Sequence, residues 1–309
     1  MNKRNRLLSL LSDKNSSERV ASFWHHFPKD RWFSDAAVEA HLKYYYESDI
    51  DFVKIMEEVR YEFDITIASD WNRYIPDRRK TKDREAQLDV IKRITDRIGS
   101  ECMVFTTIFD PLRSVGITKG YDFIDQHIKE NEKAVAKAMC AMAESIAEYA
   151  LDCLEAGADG IYFSSKGAEI GRFNEGVFHS IVQAPDRYIT DEISRVNDNT
   201  ILHICGYDTE LTYYKDFNAS IINWDCHHGR YDLNLGSEVF PDKVILGGIN
   251  NREGVLMDGT QNEIEIEVQR VLSEYTSKNR LILGADCTLD ENIDYMRVKQ
   301  MVQAYHEYR

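Results

Sequence analysis

The sequence predicts an α/β fold, a (β/α)8 TIM barrel in a single domain over residues 1–309 with an N-terminal helical extension. Three observations predict it. Short apolar β-rich runs recur about eight times, each is followed by a polar or glycine turn and a helix-period segment, and 309 residues suit one barrel of about 250 residues plus an extension. A doubly wound open sheet is the alternative reading of the same alternation.

The runs read as strands are VASFWHHF (20–27), FDITIAS (63–69), CMVFTTIF (102–109), DGIYFSS (159–165), TILHIC (200–205), SIINWD (220–225), KVILGGI (243–249) and RLILGAD (280–286). Between them, DAAVEAHLKYYYES, REAQLDVIKRITDRIG, AMAESIAEYALDCLEAG, PDRYITDEISRVN, NEIEIEVQRVLSEYTS and IDYMRVKQMVQAYHEY repeat their apolar positions at three and four. Several close on a glycine, as a helix stop should. The most polar stretch, 70–84, is expected as a loop over the barrel mouth or a solvated excursion. No linker, repeat or low-complexity tract divides the chain.

With 38 basic against 53 acidic residues, the net charge of −15 repels nucleic acid and anionic lipid, so neither is expected as a partner. The start, MNKRNRLLSLLSDKN, is too short in its apolar part for a signal segment, and no run approaches the length of a membrane span. Six cysteines, at 102, 140, 153, 205, 226 and 287, lack the density of a disulfide framework, so a reducing cytoplasm is expected.

Barrel chemistry sits at the C-terminal ends of strands, which directs attention to the residues there. His203 and Cys205, two apart on one strand, share a face, and Cys287 follows the last strand beside Asp286. One imidazole and two thiolates make a three-ligand set, which leaves a tetrahedral zinc an open position. An H-x-C pair also arises by chance on ordinary strands. Asp70 after IAS, His25 and His26 at the end of the first strand, Arg113 after IFDP and Lys166 after YFSS are further rim candidates, each also readable as a surface ion pair or satisfied loop residue. Of these Asp70 ranks first, as a proton shuttle or a partner for a cationic group. DCHHG, 225–229, brings Asp225, Cys226, His227 and His228 to the sixth strand end, as a second metal site or as an acid orienting a ligand histidine. GGIN, 247–250, allows close backbone approach or is a plain tight turn.

From about residue 20 onward, EAGADGIYFSSKG, LHICG, INWD, LGGIN and LGADCTLDENIDYMRVKQMVQAY resemble the uroporphyrinogen decarboxylase superfamily, whose fold is a (β/α)8 barrel. The decarboxylase branch carries M-R-Q-A-G-R after the first strand and a G-H-G turn after the last. Here those places read FWHHFPKDRW, with Arg31 the nearby arginine, and ADC, while Asp70 matches that branch's central aspartate. The corrinoid-dependent methyltransferase branch carries H-x-C on the fifth strand and a cysteine after the last, and His203, Cys205 and Cys287 match its zinc ligands. The resemblance implies Zn2+ as cofactor, a small thiol such as coenzyme M as methyl acceptor and a methylated corrinoid protein as donor. Asp225 and Asp70 would orient groups at the mouth. A tetrapyrrole decarboxylase using Asp70, and a zinc or thiol sensor without catalysis, are the alternatives.

Overall fold

The computed structural model describes residues 2–76 and 81–308, and it folds as the sequence predicts, with eight parallel strands ringed by helices. The strands are β1 (Val20–Ala21), β2 (Phe52–Ile55), β3 (Met103–Phe109), β4 (Gly160–Lys166), β5 (Thr200–Cys205), β6 (Ile221–Trp224), β7 (Val244–Ile249) and β8 (Leu281–Ala285). Their order runs β1-β8-β7-β6-β5-β4-β3-β2. Contacts across the remaining gap complete the ring: Asp51 N–H donates to Ala21 O at 2.9 Å, Ala21 N–H to the Asp51 carboxylate at 2.7 Å, and the Ser22 hydroxyl to Phe52 O at 2.7 Å.

The bottom of the barrel is plugged. Val20, Phe52, Met103, Ile201, Ile221, Val244 and Ile282, near the starts of seven strands, pack in one cluster with Leu7 and Leu10 of helix Lys3–Ser12. That helix is the expected N-terminal extension. Its end is held by Arg280, which donates to Leu10 O and Leu11 O, so it lies across the strand starts and leaves the opposite mouth free. A second, larger cluster lies between the sheet and the surrounding helices. No helix among the described residues is long and apolar enough to cross a membrane.

Two strand expectations need correction. The second strand is FVKI, 52–55, not FDITIAS, 63–69. FDITIAS alternates apolar and polar residues because the segment is extended, with Phe63 and Ile65 buried between exposed Asp64 and Thr66, but it pairs with no strand and ends in the 3-10 turn Ala68–Arg73. The true strand is only four residues long and carries a lysine in a lumen position, which hides its apolar pattern. The first strand is also shorter than 20–27, with a single further bridge between His25 and Leu289.

The remaining six strands fall within a residue or two of their expected bounds. The six helix-period segments all lie on helices, and AMAESIAEYALDCLEAG is the last part of a longer one, Tyr121–Glu155, interrupted at Asn131. The 70–84 stretch begins in the 3-10 turn and enters helix Lys82–Ile98; residues 77–80 lie outside the described residues.

Candidate metal centre

Strand β5 pairs in register with β4 and β6 so that His203 stands beside Ser164 on one side and Asn223 on the other. His203 is buried, and its Nδ1 lies 2.6 Å from Asn223 Oδ1. The neighbouring contacts fix the tautomer. Asn223 donates its amide protons to Leu246 O at 2.8 Å and Ala285 O at 3.1 Å, so its Oδ1 must accept, and His203 must carry its proton on Nδ1. Nε2 is left as a free lone pair aimed at the barrel mouth, the arrangement in which a ligand histidine is held by an outer partner.

The sulfur of Cys287 lies 3.4 Å from that Nε2, and the ligand atoms of His203, Cys205 and Cys287 all fall within 4.8 Å of one another. Zn–S and Zn–N bonds of about 2.3 and 2.0 Å at a tetrahedral angle separate S and N by roughly 3.5 Å, so the His203–Cys287 pair already stands at the separation such an ion requires. The pair is reached from strands β5 and β8, which the barrel brings together although 82 positions separate Cys205 from Cys287.

Electrostatics favour the thiolate form. Cys205 is held well below the ordinary thiol range, first by a hydrogen bond from the Cys287 thiol and then by the Arg113 charge and His203, against the cost of burial. Cys287 is pushed well up by the same shared hydrogen bond and by burial. Arg113 donates from its guanidinium to Cys205 Sγ at 2.7 Å and stacks over Phe109. It is positioned by Asp110, which caps helix Pro111–Lys119 by accepting from Arg113 N–H at 2.6 Å and ties that helix to β4 by accepting from Lys166 N–H at 2.5 Å.

Lys54, on β2, is the least expected member of the mouth. Its ammonium lies over the rings of Tyr162, at 4.2 Å, and Trp24, at 5.2 Å, and Tyr162 in turn stacks beside His203. No carboxylate lies within ion-pair distance of it among the described residues, and burial pushes its pKa down to about 7. Arg113 was recognisable from the sequence only as a cation near a strand end. Lys54 and Asn223 were missed; Asn223 lies in the INWD run, and the register between β5 and β6 is what sets it beside His203.

The other candidates divide. His25 is a core residue, packed against Phe27 and Tyr44, with Nδ1 on His26 O and a pKa lowered to about 4 by burial. His26 reaches solvent, but it is hemmed in by protein and by Lys54, Arg113 and Arg60, which also bring its pKa to about 4. Lys166 pairs with Glu169 at 2.5 Å.

Asp70 does not end a strand. Its carboxylate accepts from Ile67 and Thr66 N–H, both at 2.9 Å, and these two bonds hold its pKa below the ordinary value. It is the cap of the 3-10 turn, and it belongs to none of the groupings of potential metal donors among the described residues. Asp225 accepts from His227 and His228 N–H, from His228 Nδ1 and from Arg252, which makes it the organiser of the β6–helix loop rather than a member of the His203 group.

With the barrel and its donor set described, comparison with known proteins places the chain. Residues 34–308 match the model of the family described as uroporphyrinogen decarboxylase (URO-D). The chain belongs to this family. No curated protein matches it. Among solved structures it resembles a methyltransferase from Methanosarcina mazei, with a TM-score of 0.74 at 17% identity, covering 99% of both chains. It also resembles a B12-independent methionine synthase from Shewanella sp. W3-18-1, with a TM-score of 0.59 at 16% identity over 93% of this chain and 96% of that one. A putative vitamin-B12 independent methionine synthase from Listeria monocytogenes gives 0.53 at 11% identity, over 93% and 98%. At these identities the likeness is one of fold. The URO-D barrel therefore provides the frame, and this chain's own side chains carry the functional reading.

Proposed function

We propose that this URO-D barrel is a zinc-dependent methyltransferase that moves a methyl group from a methylated corrinoid protein to a small thiol. The observation that carries the reading is the convergence of His203 Nε2 and the sulfurs of Cys205 and Cys287 at the barrel mouth, with His203 already oriented by Asn223. Held by His203, Cys205 and Cys287, zinc would supply the Lewis acidity that favours the thiolate form of a thiol substrate.

The chain's own residues do the rest. Arg113 keeps negative charge on the Cys205 sulfur and limits the electron density that a bound thiolate must compete with. Tyr162 and Trp24 wall the site with aromatic faces, and Lys54 beside them adds positive charge against the thiolates. Asn223 and Asp110 act as positioning groups, the first on His203 and the second on Arg113. Asp225 shapes the rim loop. The decarboxylase reading draws no support from the His203 group, because Asp70 stands outside it and caps its own turn through Oδ2.

The test is zinc per chain and methyl transfer from methylcobalamin to a panel of small thiols, for wild type and for Cys205→Ser. Stoichiometric zinc in the wild type, lost with activity in the variant, is the expected result. A Cys205→Ser protein that keeps both zinc and transfer overturns the proposal, and zinc without transfer from any donor points to a sensor.

A further inference from the structure

A second set of soft and borderline donors meets beside the first. Cys226 and His227 follow β6, and Asp286 follows β8, one residue before Cys287. The Asp286 carboxylate is fully buried. His227 Nδ1 lies 2.6 Å from one of its oxygens, Cys226 Sγ lies 3.2 Å from the other, and Cys226 Sγ lies 3.5 Å from His227 Nδ1. The sulfur separations are close to the roughly 3.5 Å that a tetrahedral zinc imposes on an S and an N or O donor, and the short N to O contact opens by a small rotation of the half-exposed imidazole.

We propose that Cys226, His227 and Asp286 form a second metal site for a borderline divalent cation such as zinc, with its open position facing the adjoining cavity. That cavity, of about 150 Å³, lies between β7 and helix Gln261–Glu274 and has Cys226, His227, Gly248, Leu233 and Arg270 on its walls. It is large enough for several waters or a small ligand.

Two features separate this set from an ordinary hydrogen-bonded cluster. The three side chains supply three different donor types, each facing the other two. The adjoining group of Asp225, His228 and Asp286 differs in that Asp225 already accepts from two backbone N–H groups, a histidine and an arginine, whereas Cys226 and His227 meet no other side chain through their ligand atoms among the described residues. On binding, the cation displaces the Cys226 thiol proton and the His227–Asp286 proton to solvent.

The test removes the first site without touching the neighbours of Asp286. A His203→Gln/Cys205→Ser chain is loaded with Zn2+ or Co2+, dialysed and analysed for metal, with circular dichroism as the check of folding. Retention of one ion per chain, with a sulfur-to-cobalt charge-transfer band that disappears on adding Cys226→Ser and an ion lost on adding His227→Gln, is the expected result. The half-exposed position of His227 makes that second variant a mild one for the fold. A folded double variant that holds no ion, or one whose ion is indifferent to both further substitutions, overturns the proposal. A wild type that holds a single ion lost with Cys226→Ser but kept with Cys205→Ser supports this site and removes zinc from the other.

Discussion

Asn223→Ala tests the outer support of the His203 group most directly. The Asn223 side chain is completely buried and makes four hydrogen bonds: it accepts from His203 Nδ1 at 2.6 Å and from the Tyr162 hydroxyl at 3.2 Å, and donates to Leu246 O at 2.8 Å and Ala285 O at 3.1 Å. The two carbonyls have a second lone pair and lose little. The His203 and Tyr162 donors lose their acceptor inside the barrel, at about 1–3 kcal/mol each, so the fold should lose roughly 2–6 kcal/mol. Metal affinity should fall as well. Without an acceptor on Nδ1 the imidazole is free to rotate and to move its proton to Nε2, which removes the lone pair from the site. Loss of such an outer partner typically costs about 10- to 100-fold in affinity, and zinc competition against a chromophoric chelator reads it. Asn223→Asp should retain more affinity than Asn223→Ala, because a carboxylate still accepts from Nδ1, while its stability suffers from an acceptor facing two carbonyls. A folded Asn223→Ala protein with wild-type zinc affinity would refute the assignment of Nε2 as the ligand atom.

Two further predictions concern protonation. In metal-free protein the Cys205 thiolate should persist below the pH at which a free cysteine ionises, and Arg113→Met should move that transition upward; thiolate ultraviolet absorbance against pH reads it, and an unchanged midpoint counts against the Arg113 contact. Glu57, buried at the end of β2 with Phe109 N–H on its carboxyl at 2.6 Å, has its pKa pushed up to about 8 by burial. The folded state therefore binds this proton more tightly than the unfolded one, so its contribution is complete below about pH 4.5 and is lost as the pH rises through 8. Glu57→Gln should flatten the fall in stability across that window by an amount bounded at about 5 kcal/mol, and urea melts at pH 5 and pH 8 that fall as steeply as in wild type would contradict it.

Much of the barrel was legible because most of its strands announce themselves as apolar runs ending in polar or glycine turns. TILHIC coincides with β5, and the H-x-C spacing by itself puts His203 and Cys205 on one face. The position of β2 was not legible. A four-residue strand with a buried lysine carries almost no periodic signal, and the neighbouring FDITIAS, which alternates for the sake of a loop that tucks Phe63 and Ile65 inward, imitates one. That single displacement moved Asp70 to a strand end it does not occupy. It also concealed Lys54, which only the correct strand delivers to the mouth. Asn223 was invisible for a different reason: its role depends on the register between β5 and β6, and register is a property of the closed sheet.

The rim itself explains how two donor sets can stand side by side. Asp286 and Cys287 are consecutive, and at the end of β8 their side chains diverge: Cys287 reaches His203 on β5, while Asp286 reaches Cys226 and His227 after β6. The main chain of the same turn is pinned by Asp286 N–H donating to Ile249 O at 3.0 Å and by Asn251 donating to Thr288 O at 2.9 Å. A change that rotates this turn therefore moves one member of each set. Asn251→Ala, which touches neither set, removes one of those two pins. Correlated changes in the zinc affinities of His203→Gln/Cys205→Ser and Cys226→Ser backgrounds on adding it would show the two sets to be mechanically coupled through this turn, and a change confined to one background would show that they are not.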